Sequence, residues 1–414
     1  MWPCSIVSGM YARSRRRRFF WRRVIGLLVL LALALLALFF LLSMCSALSE
    51  RQSTTTAPDA GQPGATGGVA GTQGEPEATE ATEADRPQRP VRGIYLTAAS
   101  ASDLSQHLPL IEETDVNAVV VDVKDVTGEV MHASEVPLAN EVGATRDVLD
   151  LEALTTELRE REVYSIARIA TFEDDILPVA RPDLAVTDSA TGAQWTNNVG
   201  NYWSDPYNRT VWEYNVAIAK EAAEAGFDEV QFDYVRFPSD GPMERVVYPA
   251  QPEDASGNVI GDFLAYAKGE LEPTGVSVAA DVFGLAAGED GAGVGQDIPA
   301  LAPHLDVISP MIYPSHYPAG SYGFDNPNAR PYAVVAESMR EFEEATREAN
   351  PDIEIRPWLQ DFSYGEPAYG PRQVSRQIDA VYDAGATGWL LWNPENVYTW
   401  QALTDTGSPE EEQQ

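Results

Sequence analysis

Cysteine is almost missing from this 414-residue chain, with Cys4 and Cys45 the only two. They flank a hydrophobic run, so nothing beyond residue 45 can form a disulfide or a thiolate metal site. Histidine is nearly as scarce. His107, His132, His304 and His316 are the full set, and no pair has H-x-x-x-H spacing, which argues against histidine-ligated zinc chemistry. Positive charge is thin as well. Seven of the 28 basic residues are arginines within residues 1–47, and the other 21 stand against 63 acidic residues. A surface of that sign repels nucleic acid and anionic lipid, so no nucleic-acid partner is expected. No short internal repeat of the solenoid kind is present. Nor does a Gly-rich phosphate loop follow an early strand, as a dinucleotide-binding doubly wound sheet would require. No EF-hand spacing offers a calcium loop, and neither a metal nor another cofactor is expected.

What is there divides the chain by texture. Residues 1–23 are basic, and Val24 to Leu42 is an apolar run of 19 residues, roughly 28 Å long as a helix and close to the hydrocarbon thickness of a bilayer. The arginine cluster predicts a cytoplasmic segment over 1–23 and a transmembrane signal anchor over 24–42. Everything after would then lie outside a single-pass membrane protein. Secretion after signal cleavage near Cys45-Ser46-Ala47 is the competing reading, although a cleavable apolar core normally runs only about 7–15 residues. Residues 43–90, rich in Thr, Ala, Gly, Pro and Glu, read as a disordered linker, and 405–414 as a disordered acidic tail.

Between 91 and 404 apolar strands alternate with amphipathic helices. Eight strands are predicted: Arg92–Ala98, Ala118–Val123, Tyr164–Ala170, Glu229–Val235, Ser277–Phe283, Val307–Ile312, Glu354–Leu359 and Gly388–Trp392. Helical patterns separate them, among them Leu151–Arg161, Thr210–Ala225, Ala333–Ala349 and Pro371–Ala384. Gly226, Gly275 and Gly385 stand where helices should stop before the next strand. Eight such units predict a single-domain (β/α)8 TIM barrel, with a doubly wound open sheet as the alternative.

The run Gly226-Phe-Asp-Glu-Val-Gln-Phe-Asp-Tyr-Val-Arg-Phe-Pro238 sets Asp233 inside an apolar strand. An ionised carboxylate there is costly unless it has partners or opens onto a wet cleft. The carboxyl-terminal strand ends of a barrel are where reacting groups collect. Asp233 is therefore either a catalytic carboxylate or a structural one tied to the turn or to Arg236. The other strand ends add Asp122, Lys124 and Asp125, then Asp281, Tyr313, Trp358 with Asp361, and Trp392 with Glu395. Several acids converging on one mouth raise each other's pKa, a pattern that functional sites use. Paired carboxylates are what glycosidic cleavage needs: one acid protonates the departing oxygen, and another attacks or activates water. Trp203 lies in an aromatic loop after strand three, and Tyr313, Tyr317, Trp358, Trp392 and Trp400 could stack on sugar rings or pack beneath loops. Arg168 and Lys124 could balance the acids, hold a substrate carboxylate or pair structurally.

The strand-four run, the upstream Trp203-Ser-Asp-Pro-Tyr-Asn-Arg-Thr-Val-Trp212-Glu-Tyr and the early Val-Arg-Gly-Ile-Tyr-Leu-Thr resemble a bacterial glycosyl hydrolase family. That family is catalogued as a domain of unknown function and is related to alpha-amylase-like barrels. The resemblance spans about Val91 to Thr404 and implies a barrel and a carbohydrate substrate. Carried over, it implies Asp233 as nucleophile, Asp281 as acid/base and Asp361 as stabiliser. Asp122, Lys124, Arg168, Trp203, Arg236, Tyr313, Trp358, Trp392 and Glu395 are candidates for substrate binding. Two positions depart from the amylase pattern: Gln231 stands where those enzymes carry Arg, and Asp281 where they carry Glu. The expected function is hydrolysis of an extracytoplasmic polysaccharide of the cell wall or capsule. The alternative is a non-catalytic carbohydrate-binding barrel. Metal-dependent deacetylation is disfavoured by the missing histidine pair.

Overall fold

A computed structural model of the chain describes residues 90–404, apart from 256 and 289–292. Within them the alternating pattern folds into a closed parallel barrel. Its wall is β1 (Arg92–Leu96), β2 (Ala118–Lys124), β3 (Tyr164–Ala170), β4 (Glu229–Asp233), β5 (Ser277–Phe283), β6 (Val307–Ile312), β7 (Trp358–Gln360) and β8 (Trp389–Trp392). Each strand pairs in parallel with the next, and β1 closes the ring by pairing with both β2 and β8. The principal helices, one following each strand, are α1 (Leu108–Glu113), α2 (Leu151–Glu160), α3 (Arg209–Glu224), α4 (Val259–Leu271), α5 (Ile298–Leu301), α6 (Pro331–Thr346), α7 (Pro371–Asp383) and α8 (Gln401–Thr404).

The residues explain the layers. Every residue of β2, Ala-Val-Val-Val-Asp-Val-Lys, is buried, as expected for a strand covered on both faces. Val119, Val121 and Val123 pack towards the helices, while Val120 belongs to a separate axial cluster with Tyr95, Ile166, Trp358, Leu390 and Trp392. Each fully buried aliphatic side chain in these layers contributes about 1.5–3 kcal/mol relative to exposure. The packing is close: a Cβ on Gly93 would meet Leu390 Cδ2 at 2.7 Å, so any side chain there would force Leu390 to move. Helix α2 starts where the Asp150 carboxylate accepts the Ala153 N–H at 3.0 Å and buries Leu151, Leu154 and Leu158, the spacing of one helical face. The three glycines predicted as helix stops all take left-handed backbone, Gly226 at φ 95°, Gly275 at 73° and Gly385 at 86°.

Some boundaries differ from the sequence reading. Strand β1 ends at Leu96 because Thr97 caps the next short helix, its hydroxyl accepting the Ser100 N–H. Strand β4 stops at Asp233 because Tyr234 turns left-handed, with φ 52°. The seventh strand is broken into Glu354–Ile355 and Trp358–Gln360, since Pro357 has no N–H to give the ladder. Two further short strands, Val130–His132 and Thr145–Leu149, extend the sheet beyond β2.

The expected membrane anchor is corrected. No helix among the described residues is long and apolar enough to cross a membrane. The longest, α3 and α6, have 16 residues each, about 24 Å of rise against a hydrocarbon core of about 30 Å, and both carry charged faces. Residues 1–23, the Val24–Leu42 run, the linker 43–90 and the tail 405–414 lie outside the described residues. The transmembrane helix is therefore withdrawn from the fold class, and with it go the membrane partner and the single-pass localisation.

Candidate active site

Asp122, Arg168, Asp233 and Asp281 come from four adjacent strands, β2 to β5, and meet at the carboxyl-terminal end of the barrel axis, all buried. Arg168 is the hub. Its Nε and Nη2 donate to Oδ2 of Asp233 at 3.0 and 2.5 Å, and its Nη1 donates to Asp122. The same Nε lies 3.9 Å from Oδ2 of Asp281. Asp233 and Asp281 thus sit no further apart, oxygen to oxygen, than the sum of their distances to one nitrogen. The remaining oxygens are also engaged: the Tyr95 hydroxyl donates to Asp122 at 2.5 Å, the Trp358 indole N–H to Asp281 at 2.6 Å, and the Tyr234 N–H to Asp233 at 2.6 Å. Above the guanidinium, Trp392 stacks on Tyr95 at 4.1 Å and meets Trp358 edge-on at 5.7 Å. Arg168 lies 5.3 Å from the Trp392 ring and 5.7 Å from that of Tyr95.

One cation cannot neutralise three buried carboxylates. Asp281 responds most: burial, then the charge of Asp233, pushes its carboxyl well above the ordinary range, against the opposing pull of Arg168 and Trp358. Asp122 is also raised, first by burial, with Arg168 and Tyr95 opposing. Asp281 is therefore shifted towards its protonated form, while Asp233 receives two N–H groups of the guanidinium on one oxygen. Two carboxyl groups in reach of one arginine thus have different surroundings, one doubly hydrogen-bonded by the guanidinium and one 3.9 Å from it.

The other predicted residues divide. Tyr313 is buried at the rim, edge-on to Phe362 at 5.7 Å. Its hydroxyl is pushed up by burial and then by the charges of Asp281 and Asp233, which sets it beside the acids. Trp203 is buried with the Arg236 guanidinium 4.9 Å above its ring. Asp361 stands apart in its bonding, because its two oxygens are taken by the Thr399 N–H at 2.7 Å and the Thr399 hydroxyl at 2.5 Å. Glu395 is exposed. Lys124 turns away from the axial acids, its ammonium donating to the Ala170 carbonyl at 2.7 Å. A register irregularity between Asp122 and Lys124 sets Lys124 beside Ile169 rather than Ala170. Its ammonium pairs with Asp174 at 2.8 Å and lies over Tyr214 of α3. Tyr95 was not singled out from the sequence. Its place in the strand-one run Gly-Ile-Tyr-Leu, with axial parity, was the available signal.

A closed parallel barrel whose carboxyl-terminal mouth gathers acids and aromatics defines the class: a TIM-type barrel, the fold in which functional residues collect at that rim. Residues 93–398 match the family model described as "Putative glycosyl hydrolase domain", and the chain belongs to that family. Among solved structures, a hypothetical protein from Ruminiclostridium thermocellum is 35% identical over 46% of this chain and 97% of its own, with a TM-score of 0.42. The PgaB (BpsB) glycoside hydrolase domain from Bordetella bronchiseptica is 14% identical over 77% of this chain and all of its own, with a TM-score of 0.54, a likeness of fold. The Bacillus cereus spore cortex-lytic enzyme SleL is 11% identical over 77% of this chain and 75% of its own, at 0.44. No curated protein matches the sequence significantly.

Proposed function

We propose that the mouth of this barrel binds a carbohydrate chain and hydrolyses a glycosidic bond, with Asp281 as proton donor and Asp233 as the negative charge facing the anomeric carbon. The observation that carries this reading is the shared Arg168: it holds Asp233 by two N–H groups while Asp281 lies 3.9 Å from the same nitrogen, its carboxyl pushed up by burial and then by the charge of Asp233. Glycosidic cleavage needs one carboxyl that can give a proton to the departing oxygen and one that stabilises positive charge on the sugar. Of the rings beside the acids, Trp392 and Tyr313 keep a little exposure towards a sugar, while Trp358 is buried and holds Asp281 through its indole N–H. In this reading Asp361 is not the third acid but a clamp on the segment around Thr399.

A second reading, carbohydrate binding without cleavage, is favoured by one specific observation: the acids at the mouth are all engaged by Arg168, Tyr95, Trp358 or Tyr234 at rest. Family and fold support a carbohydrate-handling barrel more directly than they support cleavage. Incubating the protein with cell-wall and capsule polysaccharides separates the two. New reducing ends that vanish in Asp233→Asn and Asp281→Asn support hydrolysis. Retention of the glycan on the protein with no new ends supports binding alone.

A further inference from the structure

We propose that Glu173 is a third carboxyl group of this mouth, the base that takes a proton from the water attacking the anomeric carbon. The inference rests on the hydrolase reading and adds a residue that the Asp233–Asp281 pair leaves out. Glu173 stands three positions beyond β3, and the same loop is tied to β4 where the Thr171 N–H donates to the Asp233 carbonyl at 2.8 Å. Its backbone bridges to Trp203, and only 2% of the residue is exposed. Its Oε1 accepts the Asn201 amide at 2.6 Å.

The charged groups around it are Arg236, Asp175 and Asp240. Arg236 is spread over other partners. Its Nη1 donates to the Phe237 carbonyl at 2.9 Å and to Ser239 at 3.2 Å. Its guanidinium lies 4.9 Å from Trp203, 5.3 Å from Tyr234 and 4.6 Å from Phe283. Tyr234 follows Asp233 and Phe283 lies two residues after Asp281, so the group reaches across the mouth from β3 to β5. Burial raises the Glu173 carboxyl to about 7; Arg236 and Asn201 oppose, while Asp175 and Asp240 add to the rise. A base works best when its pKa lies near the working pH.

The step balances. The water oxygen bonds to the anomeric carbon as the bond to the departing sugar oxygen breaks. The Asp281 proton goes to that oxygen, Glu173 takes a proton from the water, and Asp233 stays charged beside the cationic sugar. Solvent then returns the proton from Glu173 to Asp281. The anomeric configuration inverts.

Two measurements on the full chain test this. In protein labelled with 13C at the glutamate carboxyls, one resonance should titrate near pH 7 and be missing from Glu173→Gln; if every glutamate titrates below pH 5.5, the proposal falls whether or not hydrolysis is seen. With solubilised cell-wall glycan as the probe, Glu173→Gln should lose at least 100-fold in rate with unchanged glycan affinity and a melting temperature no lower than that of the wild type. The wild-type decline in rate below pH 7 should be absent from that variant, and azide should restore turnover to Glu173→Ala as a glycosyl azide of inverted configuration. Hydrolysis by Glu173→Gln within threefold of wild type overturns the role of Glu173 and leaves the Asp233–Asp281 reading standing. No hydrolysis by the wild-type chain overturns both.

Discussion

The barrel has two buried charge clusters, one at each end of its axis, and they are built to different stoichiometries. At the amino-terminal end Arg356 serves two acids. Its Nη1 donates to both oxygens of Glu229 at 3.0 and 2.8 Å, and its Nε and Nη2 form a matched fork with Glu354 at 2.8 Å each. The Tyr164 hydroxyl adds a bond to Glu229 at 3.3 Å. Arg356 is held charged by Glu229 and Glu354 against its burial. At the carboxyl-terminal end Arg168 serves three acids, one of them only at 3.9 Å. The base is a closed, satisfied network of the kind that fixes a fold. The mouth is left with more acid than its cation can answer. In the hydrolase reading that excess is what a developing positive charge on a sugar would relieve.

Breaking each end should therefore give different results. The largest effect is expected from Asp233→Asn: glycan hydrolysis, followed by new reducing ends, should fall on the order of 10³-fold, with little change in the urea midpoint. Next is a matched pair of substitutions. Arg356→Met strands Glu229 in the barrel and should cost about 3–5 kcal/mol in urea unfolding. Arg168→Met should cost less, because Asp122 and Asp281 already lean towards the protonated state and can stay neutral. Equal costs at the two ends would erase the contrast. Trp358→Phe removes a bond that lowers the Asp281 pKa, so the alkaline limb of the rate profile should move to higher pH with a several-fold loss of kcat.

The smallest effect is on stability against pH. A carboxyl whose folded pKa is raised binds its proton more tightly folded than unfolded. The stability Glu173 contributes is thus complete below its unfolded value of 4.5 and is lost as pH rises through about 7. Wild-type Tm should drop by a few degrees between pH 5 and pH 8 from this source, and Glu173→Gln should flatten that slope.

Much of this was legible in the residues. Strand β4 announced itself as an apolar run carrying an acid, Asp122, Asp281, Trp358 and Trp392 followed from asking what each strand places at its carboxyl end, and Arg168 entered as a possible counter-charge to the acids. That question fails wherever a strand is irregular or a loop decides burial. Lys124 has the parity of an axial residue, but pairing with β3 slips by one position. Asp361 follows β7 as a site residue would, yet Thr399, 38 positions later, takes both its oxygens. Glu173 sits in Thr-Phe-Glu-Asp-Asp, which reads as a solvated turn; its cover comes from Asn201 and Trp203, residues that no local pattern ties to it. The membrane anchor was drawn from a hydropathy run outside the described residues.

The irregularity in β2 has a further consequence for the mouth. In an unbroken strand, the residue two places after Asp122 would project alongside it, bringing an ammonium group in among the acids as a second counter-ion. The slip instead hands that ammonium to Asp174 on the helix side. A single misregistered residue thereby keeps the acids at the carboxyl-terminal end of the axis short of a second cation, and restoring regular pairing there would supply one without altering a single acidic side chain.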